Sequence, residues 1–360
     1  MRCRGAAFVD SPSRVSARAP SWLAGVAACA LSGAHAASVD SGTLNAEPAR
    51  LAPQSVLLDL AAAGTRLVAV GDRGIVVLSD NRGQTWQQAK TVPTQNLLTG
   101  VCFSDDRHGV AVGHDEIILT TSDAGETWAR KHYAPEAQQP LLDVLCNGAD
   151  SIAVGAYGTY FVSPDRGTTW TERKFDAQKP PAPKPAGQGG KPNAAADGDD
   201  DGLAEDFHLN RIVAASGSRL YVAAEAGHLY RSDDAGATWR ELPSPYEGSF
   251  FGLLPLNGES LLACGLRGHL FRSDDGGLNW REISTNTEAM LNDAARLPGG
   301  TTVIVGLSGA VLVSHDDGAS YRVLQQSDRK GLSAVLPLGA AEIVTVGEAG
   351  VKLISLGAAQ

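Results

Sequence analysis

Apolar and β-branched residues occur along this chain in short runs separated by turns rich in Gly and Asp. One unit reads Leu98–Phe103, Gly109–Gly113 and Ile117–Thr121, followed by a polar turn and a run that begins at Trp128. Short apolar runs bounded by such turns are typical of antiparallel strands. The pattern therefore predicts four strands per unit, which we call a, b, c and d.

The polar turn between strands c and d carries the motif S-x-D-x-G-x-T-W, which is clearest at Ser163–Trp170. Successive copies end 42, 42, 69, 41 and 41 residues apart. In such an Asp box we expect the Asp to accept hydrogen bonds from backbone amides, the Gly to adopt positive φ, and the aromatic ring to cover the hairpin. This is a structural role, and we assign it to the following Asp-box residues: Asn81, Trp86, Asp123, Trp128, Asp165, Trp170, Asp234, Trp239, Asp275, Trp280, Asp316 and Tyr321.

A second phrase, Gly-x-x-Gly or a close variant, precedes each box at the turn between strands b and c, and it occurs seven times, from Val70–Gly74 to Val346–Gly350. Seven four-stranded units with a period near 41 residues predict an all-β, seven-bladed β-propeller. The last unit stops after strand c, at Leu353–Leu356, without a box. We expect the segment around Thr43–Leu51 to supply the missing outer strand and so close the ring.

One repeat spacing is longer than the others because of a segment at about 176–206 that is rich in Pro, Gly, Ala and Lys and then acidic. A segment of this composition does not bury enough apolar surface to fold, so we predict a disordered insertion in a loop between blades. Residues 37–360 are then a single propeller domain.

The first 36 residues have the features of a signal peptide. Four arginines precede an apolar run from Ser21 to Leu31, and Ala34-His35-Ala36 supplies the small residues of a cleavage site, which predicts processing near Ala36–Ala37 and export to the periplasm or beyond. The alternative is lipidation at Cys29, which follows Val26-Ala27-Ala28. The mature chain contains no apolar run long enough to cross a bilayer.

The net charge of −10 argues against nucleic acid as a partner, since phosphate binding requires a basic surface. No phosphate loop, metal-ligand spacing or catalytic-triad phrase occurs, so we expect neither a cofactor nor a metal. Three cysteines remain after Ala36. Cys102 and Cys146 fall in equivalent strands of successive units, where they either form a disulfide or, like Cys264, are small buried residues.

The repeat carries a family resemblance, most clearly in Val101–Asp106, Gly109–Gly113 and Thr121–Trp128. These phrases resemble the repeat of the photosystem II stability and assembly factor family, within the wider BNR (Asp-box) propellers that also include sialidases. The resemblance covers almost the whole mature chain. It implies an exported, non-catalytic propeller that binds or scaffolds a protein client, such as a membrane complex during assembly.

The b–c turns and the d–a connections should share one face of the ring, where turn residues differ in charge from blade to blade. An aligned position at the start of the innermost strands reads Asp59, Thr99, Asp143, Asn210, Gly252, Asn292 and Ser333, and we expect it to ring the central channel. The candidate binding residues on this face and channel rim are Asp59, Arg73, Asp143, Tyr157, Asn210, Glu225, Arg267, Asn292 and Glu348. The alternative is that they are solvated turn residues without a partner.

The enzymatic alternative is a sialidase-like glycoside hydrolase or a carbohydrate-binding propeller. A sialidase needs three arginines for the substrate carboxylate, a Tyr–Glu nucleophile pair and an acidic proton donor. Only Arg73 and Arg267 are well placed in turns, although Tyr157 and Glu225 could imitate the nucleophile pair. The sequence therefore favours a non-catalytic binding protein.

Overall fold

The computed structural model describes residues 40–179 and 207–357. The predicted signal peptide and most of the predicted insertion lie outside these residues. Within them, none of the helical segments has the length and apolar character required to cross a membrane.

The described residues form seven sheets that follow one another along the chain, which confirms the seven-bladed propeller. The first six contain the antiparallel strands a-b-c-d, and the seventh contains a-b-c. Blade 1 comprises β1 (Leu57–Ala63), β2 (Arg66–Gly71), β3 (Val76–Ser79) and β4 (Gln87–Gln88). Blade 2 comprises β5 (Leu98–Phe103), β6 (Gly109–Gly113), β7 (Ile118–Thr121) and β8 (Ala129–His132). Blade 3 comprises β9 (Leu141–Asn147), β10 (Asp150–Gly155), β11 (Tyr160–Ser163) and β12 (Thr171–Glu172). Blade 4 comprises β14 (Leu209–Ala214), β15 (Leu220–Ala224), β16 (Leu229–Ser232) and β17 (Trp239–Glu241), with an added strand β13 (Ala177–Gln178).

Blade 5 comprises β18 (Phe250–Pro255), β19 (Leu261–Gly265), β20 (Leu270–Ser273) and β21 (Arg281–Glu282). Blade 6 comprises β22 (Leu291–Arg296), β23 (Thr302–Gly306), β24 (Val311–Ser314) and β25 (Arg322–Val323). Blade 7 has three strands, β26 (Leu332–Pro337), β27 (Glu342–Gly347) and β28 (Gly350–Ser355). Short 3-10 turns join strands b and c in blades 1 to 6, at Asp72–Gly74, His114–Glu116, Ala156–Gly158, Glu225–Gly227, Leu266–Gly268 and Leu307–Gly309, and two more precede β1, at Ser41–Thr43 and Ala52–Gln54.

The hydrophobic core lies between the blades rather than within them. Each innermost strand packs against the innermost strand of the next blade, including β26 against β1, so the ring is closed. The buried residues form seven clusters, and each cluster draws its members mainly from two adjacent blades. This arrangement explains why single units of the repeat cannot be stable alone, since each unit buries apolar surface against its neighbours.

The predicted closure by Thr43–Leu51 is wrong. This segment lies along the outer strand of blade 1, where the Ala46 amide donates to Val92 O at 2.8 Å and the Gln88 side chain bonds the backbone of Glu47 and Ala49. Just upstream of it, Gly42 O accepts from Arg130 of blade 2. The bonds of Ala46, Glu47 and Ala49 thus hold the segment on blade 1, and among the described residues no fourth strand pairs with β28.

The predicted start of the disordered insertion, at about 176, is also too early. β13 pairs in parallel with β17, with Ala177 opposite Trp239. Phe175, just before it, packs against Tyr160 and Trp239, with ring centroids 5.6 and 5.3 Å apart. The aromatic contacts of Phe175 anchor this stretch to blade 4 although its composition resembles the rest of the insertion.

Two of the three cysteines outside the predicted signal peptide form a disulfide. Cys102 on β5 and Cys146 on β9 are bonded, with their Cα atoms 5.6 Å apart, and the bond joins the innermost strands of blades 2 and 3. Cys264 is a free buried thiol, and burial raises its pKa. Of the two alternatives left open by the sequence, the disulfide applies to Cys102 and Cys146, and the small buried residue applies to Cys264.

Candidate binding face and central channel

The b–c turns and the d–a connections lie together on one face, which we call the b–c face. Gly158 in the b–c turn of blade 3 donates its amide to Phe207 O in the connection to blade 4. A Cβ on Gly74 would lie 2.0 Å from Thr94 O, and one on Gly268 would lie 1.9 Å from Thr287 O. These glycines, all with positive φ, allow each connection to pass directly over the turn.

The middle residue of each of the six 3-10 turns has positive φ, between 51° and 56°. Three of these positions hold large, exposed side chains: Arg73, Tyr157 and Arg267. The Arg73 side chain is 82% exposed, and within the described residues its one ion pair is with Asp72, at 3.6 Å. Backbone in this region is strained for residues other than Gly, Asn or Asp, so these side chains are held outward at an energetic cost.

Tyr157 and Glu225 are brought together through His208. The Tyr157 ring meets the His208 ring edge-on, with centroids 4.8 Å apart. His208 Nδ1 lies 3.2 Å from Glu225 Oε1, and the His208 amide donates to Glu225 Oε2. Glu225 is thus engaged by His208, and Tyr157 remains exposed beside it. Glu348, the last candidate residue of this face, lies exposed in the turn of blade 7.

The Asp boxes have the hydrogen bonds expected of a structural turn. In blade 3, Asp165 Oδ1 accepts from Ser163 Oγ and from the Thr169 amide, both at 2.8 Å, and Oδ2 accepts from Thr169 Oγ1 at 2.7 Å. The bonds from Thr169 hold the pKa of the Asp165 carboxyl below its usual value. Trp170 Nε1 donates to Gly167 O at 2.9 Å, which orients the indole.

Each aromatic ring of a box packs into the cluster shared with the preceding blade. Trp128 lies between blades 1 and 2, Trp239 between blades 3 and 4, and Tyr321 between blades 5 and 6, all less than 9% exposed. The departures from the motif keep its bonds. Asn81 Oδ1 accepts from the Thr85 amide as an Asp would, and the Tyr321 hydroxyl bonds Thr302 at 2.8 Å.

Four candidate residues of the channel rim join adjacent blades. Asp59 Oδ2 accepts from the Val101 amide of the next blade, and Asp143 Oδ2 accepts from the Ile212 amide, both at 2.8 Å. Asn210 donates to Phe250 O at 2.9 Å, and Asn292 donates to Leu332 O at 2.7 Å. Asp59 and Asp143 are buried. A role of these four residues in binding a client stays a prediction, whereas their contacts across the blades are structural.

The seven residues that the sequence alignment places around the channel do not all occupy the same position of their strands. Each innermost strand contains a β-bulge, and the residues that pair in register with strand b are Asp59, Gly100, Asp143, Arg211, Gly252, Asp293 and Ala334. Thr99, Asn210, Asn292 and Ser333 are the extra residues of the bulges. A shift of one residue turns a side chain to the opposite side of a strand. Sequence reasoning therefore missed Arg211 and Asp293.

A signal for the correct register is present in the sequence. A buried Leu or Phe begins every innermost strand, from Leu57 to Leu332, and the channel position lies two residues after it. Counting from this apolar residue identifies both Arg211 and Asp293.

Arg211 is enclosed by three carboxylates from other blades. Its Nη2 donates to Asp293 Oδ1 at 3.0 Å, its Nε lies 3.6 Å from Asp143 Oδ2, and its Nη1 lies 3.9 Å from Asp59 Oδ1. Burial, opposed by the charge of Arg211, raises the pKa of Asp59 to about 7 and raises that of Asp143 as well. Burial alone would lower the pKa of Arg211, but the charges of Asp293, Asp143 and Asp59 raise it overall.

The positions of three arginines can be compared with the carboxylate site that a sialidase requires. Arg211 is already occupied by three carboxylates, and Arg73 and Arg267 lie in blades 1 and 5, on opposite sides of the ring. The three arginines do not converge on one substrate carboxylate. In residues 40–179 and 207–357, no group of three or more His, Cys, Asp or Glu side chains is arranged to hold a metal ion.

Comparison with known proteins confirms the resemblance drawn from the repeat. The family model of the photosynthesis system II assembly factor YCF48 matches residues 78–196, from strand c of blade 1 into the insertion. No curated protein matches the chain by sequence.

Several solved structures share the fold. A structure described as YCF48 bound to D1 peptide is 16% identical, with a TM-score of 0.62, over 85% of this chain and 93% of the other. YCF48 from Cyanidioschyzon merolae is 14% identical, with a TM-score of 0.61, over 83% and 95%. The WD40 propeller domain of Doa1 is 13% identical, with a TM-score of 0.62, over 88% and 96%. At these identities the likeness concerns the fold.

Proposed function

We propose that this chain, a β-propeller of the photosystem II assembly factor-like Asp-box kind, is an exported, non-catalytic protein that binds a client polypeptide on its b–c face. We further propose that it assists the assembly or stability of a membrane complex. The proposal draws on the similarity to YCF48, a relative solved with a bound D1 peptide.

The observation that carries the proposal is the set of large side chains in the strained turns of the b–c face. Arg73, Tyr157 and Arg267 occupy a backbone conformation that Gly or Asn would adopt at lower cost, and all three side chains are exposed. Arg82 and Arg166 of the Asp boxes have the same backbone conformation, so the b–c face is distinguished by its side chains rather than by strain alone. Aromatic and Arg side chains are the residues most enriched among binding hot spots.

Export is supported by the disulfide between Cys102 and Cys146. Such bonds form and persist in oxidising compartments, and the cytoplasm keeps thiols reduced. The predicted signal peptide upstream agrees with this location.

The test is capture of clients by the purified mature protein through crosslinking in native membranes, followed by mass spectrometry. The double variant Arg73→Glu, Arg267→Glu changes two exposed side chains of the b–c face, so we expect normal folding and a loss of captured clients. The matched control is Arg166→Glu, Arg281→Glu, which reverses two half-exposed charges near the Asp boxes of blades 3 and 5.

Arg82 is unsuitable for the control because its guanidinium donates a hydrogen bond to Leu338 O and pairs with Glu342, both in blade 7, whereas the Arg166 guanidinium has, among the described residues, only a 3.9 Å contact with Asp105 of blade 2. Equal capture by the b–c variant and wild type, or equal loss in both variants, would reject the b–c face as the binding surface.

A further inference from the structure

The outer edge of blade 7 differs from that of every other blade. In blades 1 to 6 an antiparallel strand d pairs with strand c, whereas no described strand pairs with the outer side of β28. Strand c has no exposed residue in blades 1 to 6, but in β28 both Leu353 and Ser355 are exposed. Among the described residues, blade 7 therefore has the edge that a fourth strand would cover but not the strand itself.

Leu353 and its counterpart in blade 1, Leu78, show what the fourth strand covers. Each lies against the Gly of the next Asp box: a Cβ on Gly125 would lie 3.1 Å from Leu78 Cδ2, and one on Gly83 would lie 3.2 Å from Leu353 Cδ2. Leu78 pairs with Gln87 of β4 and is 1% exposed, whereas Leu353 is 40% exposed. The packing against the next blade is the same, so the difference in exposure arises because no described strand covers the outer side of β28.

A second apolar side chain lies near this edge. Leu51, 59% exposed, directly precedes the 3-10 turn Ala52–Gln54, which packs against β28. A Cβ on Gly350, the first residue of β28, would lie 2.0 Å from Pro53 O. An exposed strand edge flanked by apolar side chains is a template for strand addition.

We infer that this edge binds an extended segment of a client polypeptide, which adds to β28 as an antiparallel fourth strand and places an apolar side chain beside Leu353. This inference rests on the proposed client-binding function and names a second surface for it. The occupant is not the segment predicted from the sequence, because Thr43–Leu51 is bonded to blade 1.

A second copy of the propeller is less suited to this edge than a client peptide. Pairing two six-residue β28 edges would bury far less than the ~1,600 Å² of a standard stable interface, and both copies carry a net charge of −10. Strand addition by a peptide obtains its affinity from main-chain hydrogen bonds and its specificity from alternate side chains, and it needs only one free edge.

The outer strands of the sister blades indicate the chemistry of the segment. In blade 5, β21 is followed by Ile283, whose amide donates to Leu270 O at 2.8 Å and whose side chain is 5% exposed. In blade 4, Leu242 makes the same bond to Leu229 O, also at 2.8 Å, and is 3% exposed. A client segment should present two extended residues followed by an aliphatic one.

The probe is therefore a fluorescent synthetic peptide with the sequence of residues 277–285, which contains β21 and Ile283. We expect it to bind the purified mature protein, with fluorescence anisotropy as the readout. The same peptide methylated at the backbone nitrogen of Ile283 lacks the donor that bonds strand c, and it should bind at least tenfold more weakly. Equal binding of the two peptides would overturn strand addition.

Two variants locate the peptide on the protein. Leu353→Asp should weaken binding at least tenfold, whereas Leu278→Asp, at another exposed leucine on the box of blade 5, should leave it unchanged. In a second design, residues 354–360 are replaced by residues 79–89, which carry the box and outer strand of blade 1, because Ile354 aligns with Ser79 in the pairing of strands b and c. The chain then fills its own edge, although the buried Ile354 and Leu356 are removed. This variant should be folded, as circular dichroism would show, and unable to bind the peptide; retained binding would overturn the assignment.

A photo-crosslinking residue at position 353 identifies the occupant directly. Crosslinks to the added peptide support the inference. Crosslinks to residues 37–51 of the same chain would show that the chain closes its own ring, and crosslinked dimers would show that a second copy is seated there; either result overturns the inference. The peptide assay does not involve Arg73 or Arg267, so failure here is distinguishable from failure of the b–c face.

Discussion

Arg211 of blade 4 donates a hydrogen bond through Nη2 to Oδ1 of Asp293 in blade 6, at 3.0 Å. The Asp293 Oδ2 atom accepts from the Val335 amide of blade 7. The carboxylate of Asp293 therefore connects the guanidinium of Arg211, two blades away, to the backbone of the adjacent blade 7. The channel is thus held together by charge as well as by the packing between blades.

Replacing Arg211 with Met should destabilise the ring by ~3–5 kcal/mol, the range for removing one partner from a buried ion network. Asp59, Asp143 and Asp293 would then remain buried without their cation. Urea-induced unfolding measures the change. The control Arg73→Met, at an exposed turn, should alter the unfolding free energy by less than about 0.5 kcal/mol. Similar values for the two variants would contradict the stabilising role of the network.

The raised pKa of Asp59 makes stability depend on pH in a defined window. The folded protein holds a proton on Asp59 up to about pH 7, whereas the unfolded chain releases it near 3.8. Stability from this group is therefore fully present below pH 3.8 and is lost as pH rises towards 7, at up to about 1.4 kcal/mol per pH unit. The Asp59→Asn variant keeps an acceptor for the Val101 amide but does not titrate. Its stability should therefore fall less than that of wild type as pH rises towards 7.

Thermal unfolding of wild type and Asp59→Asn between pH 4.5 and 7.5 measures this difference. The carboxylates of the boxes do not obscure it, because hydrogen bonds from Asn279 and Ser320 lower the pKa of Asp275 and Asp316 to about 2, and their contribution is lost only as pH falls below about 4. Parallel curves for the two proteins would show that Asp59 does not carry the dependence.

The aromatic residues of the boxes should differ in their contribution according to burial. Trp239 is 4% exposed between blades 3 and 4, so Trp239→Ala should cost ~3–5 kcal/mol. Trp170 is half-buried between blades 2 and 3, and Trp170→Ala should cost less. Chemical denaturation of both variants tests the order. A melting temperature unchanged in Trp239→Ala would be incompatible with the packing of the box between blades.

The insertion can be shortened only up to its anchored start. Replacing residues 180–206 with a short Gly-Ser linker should leave cooperative unfolding intact, because loop-closure entropy grows slowly with length. In contrast, Phe175→Ala removes ring contacts with Tyr160 and Trp239 and should cost about 2 kcal/mol. Loss of soluble protein in the linker variant would mean that residues 180–206 support the ring.

The sequence by itself determined the blade count, the strand order and the role of the Asp boxes. These features are local: Asp165 and Thr169 lie four residues apart, and Ser163, Gly167 and Trp170 complete the same turn. A turn whose bonds all fall within eight residues can be read from its motif, and its repetition sets the architecture.

Only the tertiary structure decided what fills the channel and how the ring closes. The bulges shift the innermost strands by one residue, so Arg211 and Asp293, rather than Asn210 and Asn292, meet the carboxylates of other blades. The Thr43–Leu51 segment has the length of a strand, but its partners lie about 40 residues away along the chain, and blade 1 competes with blade 7 for it. Register and closure depend on contacts between distant residues, which a pattern of apolar positions does not specify.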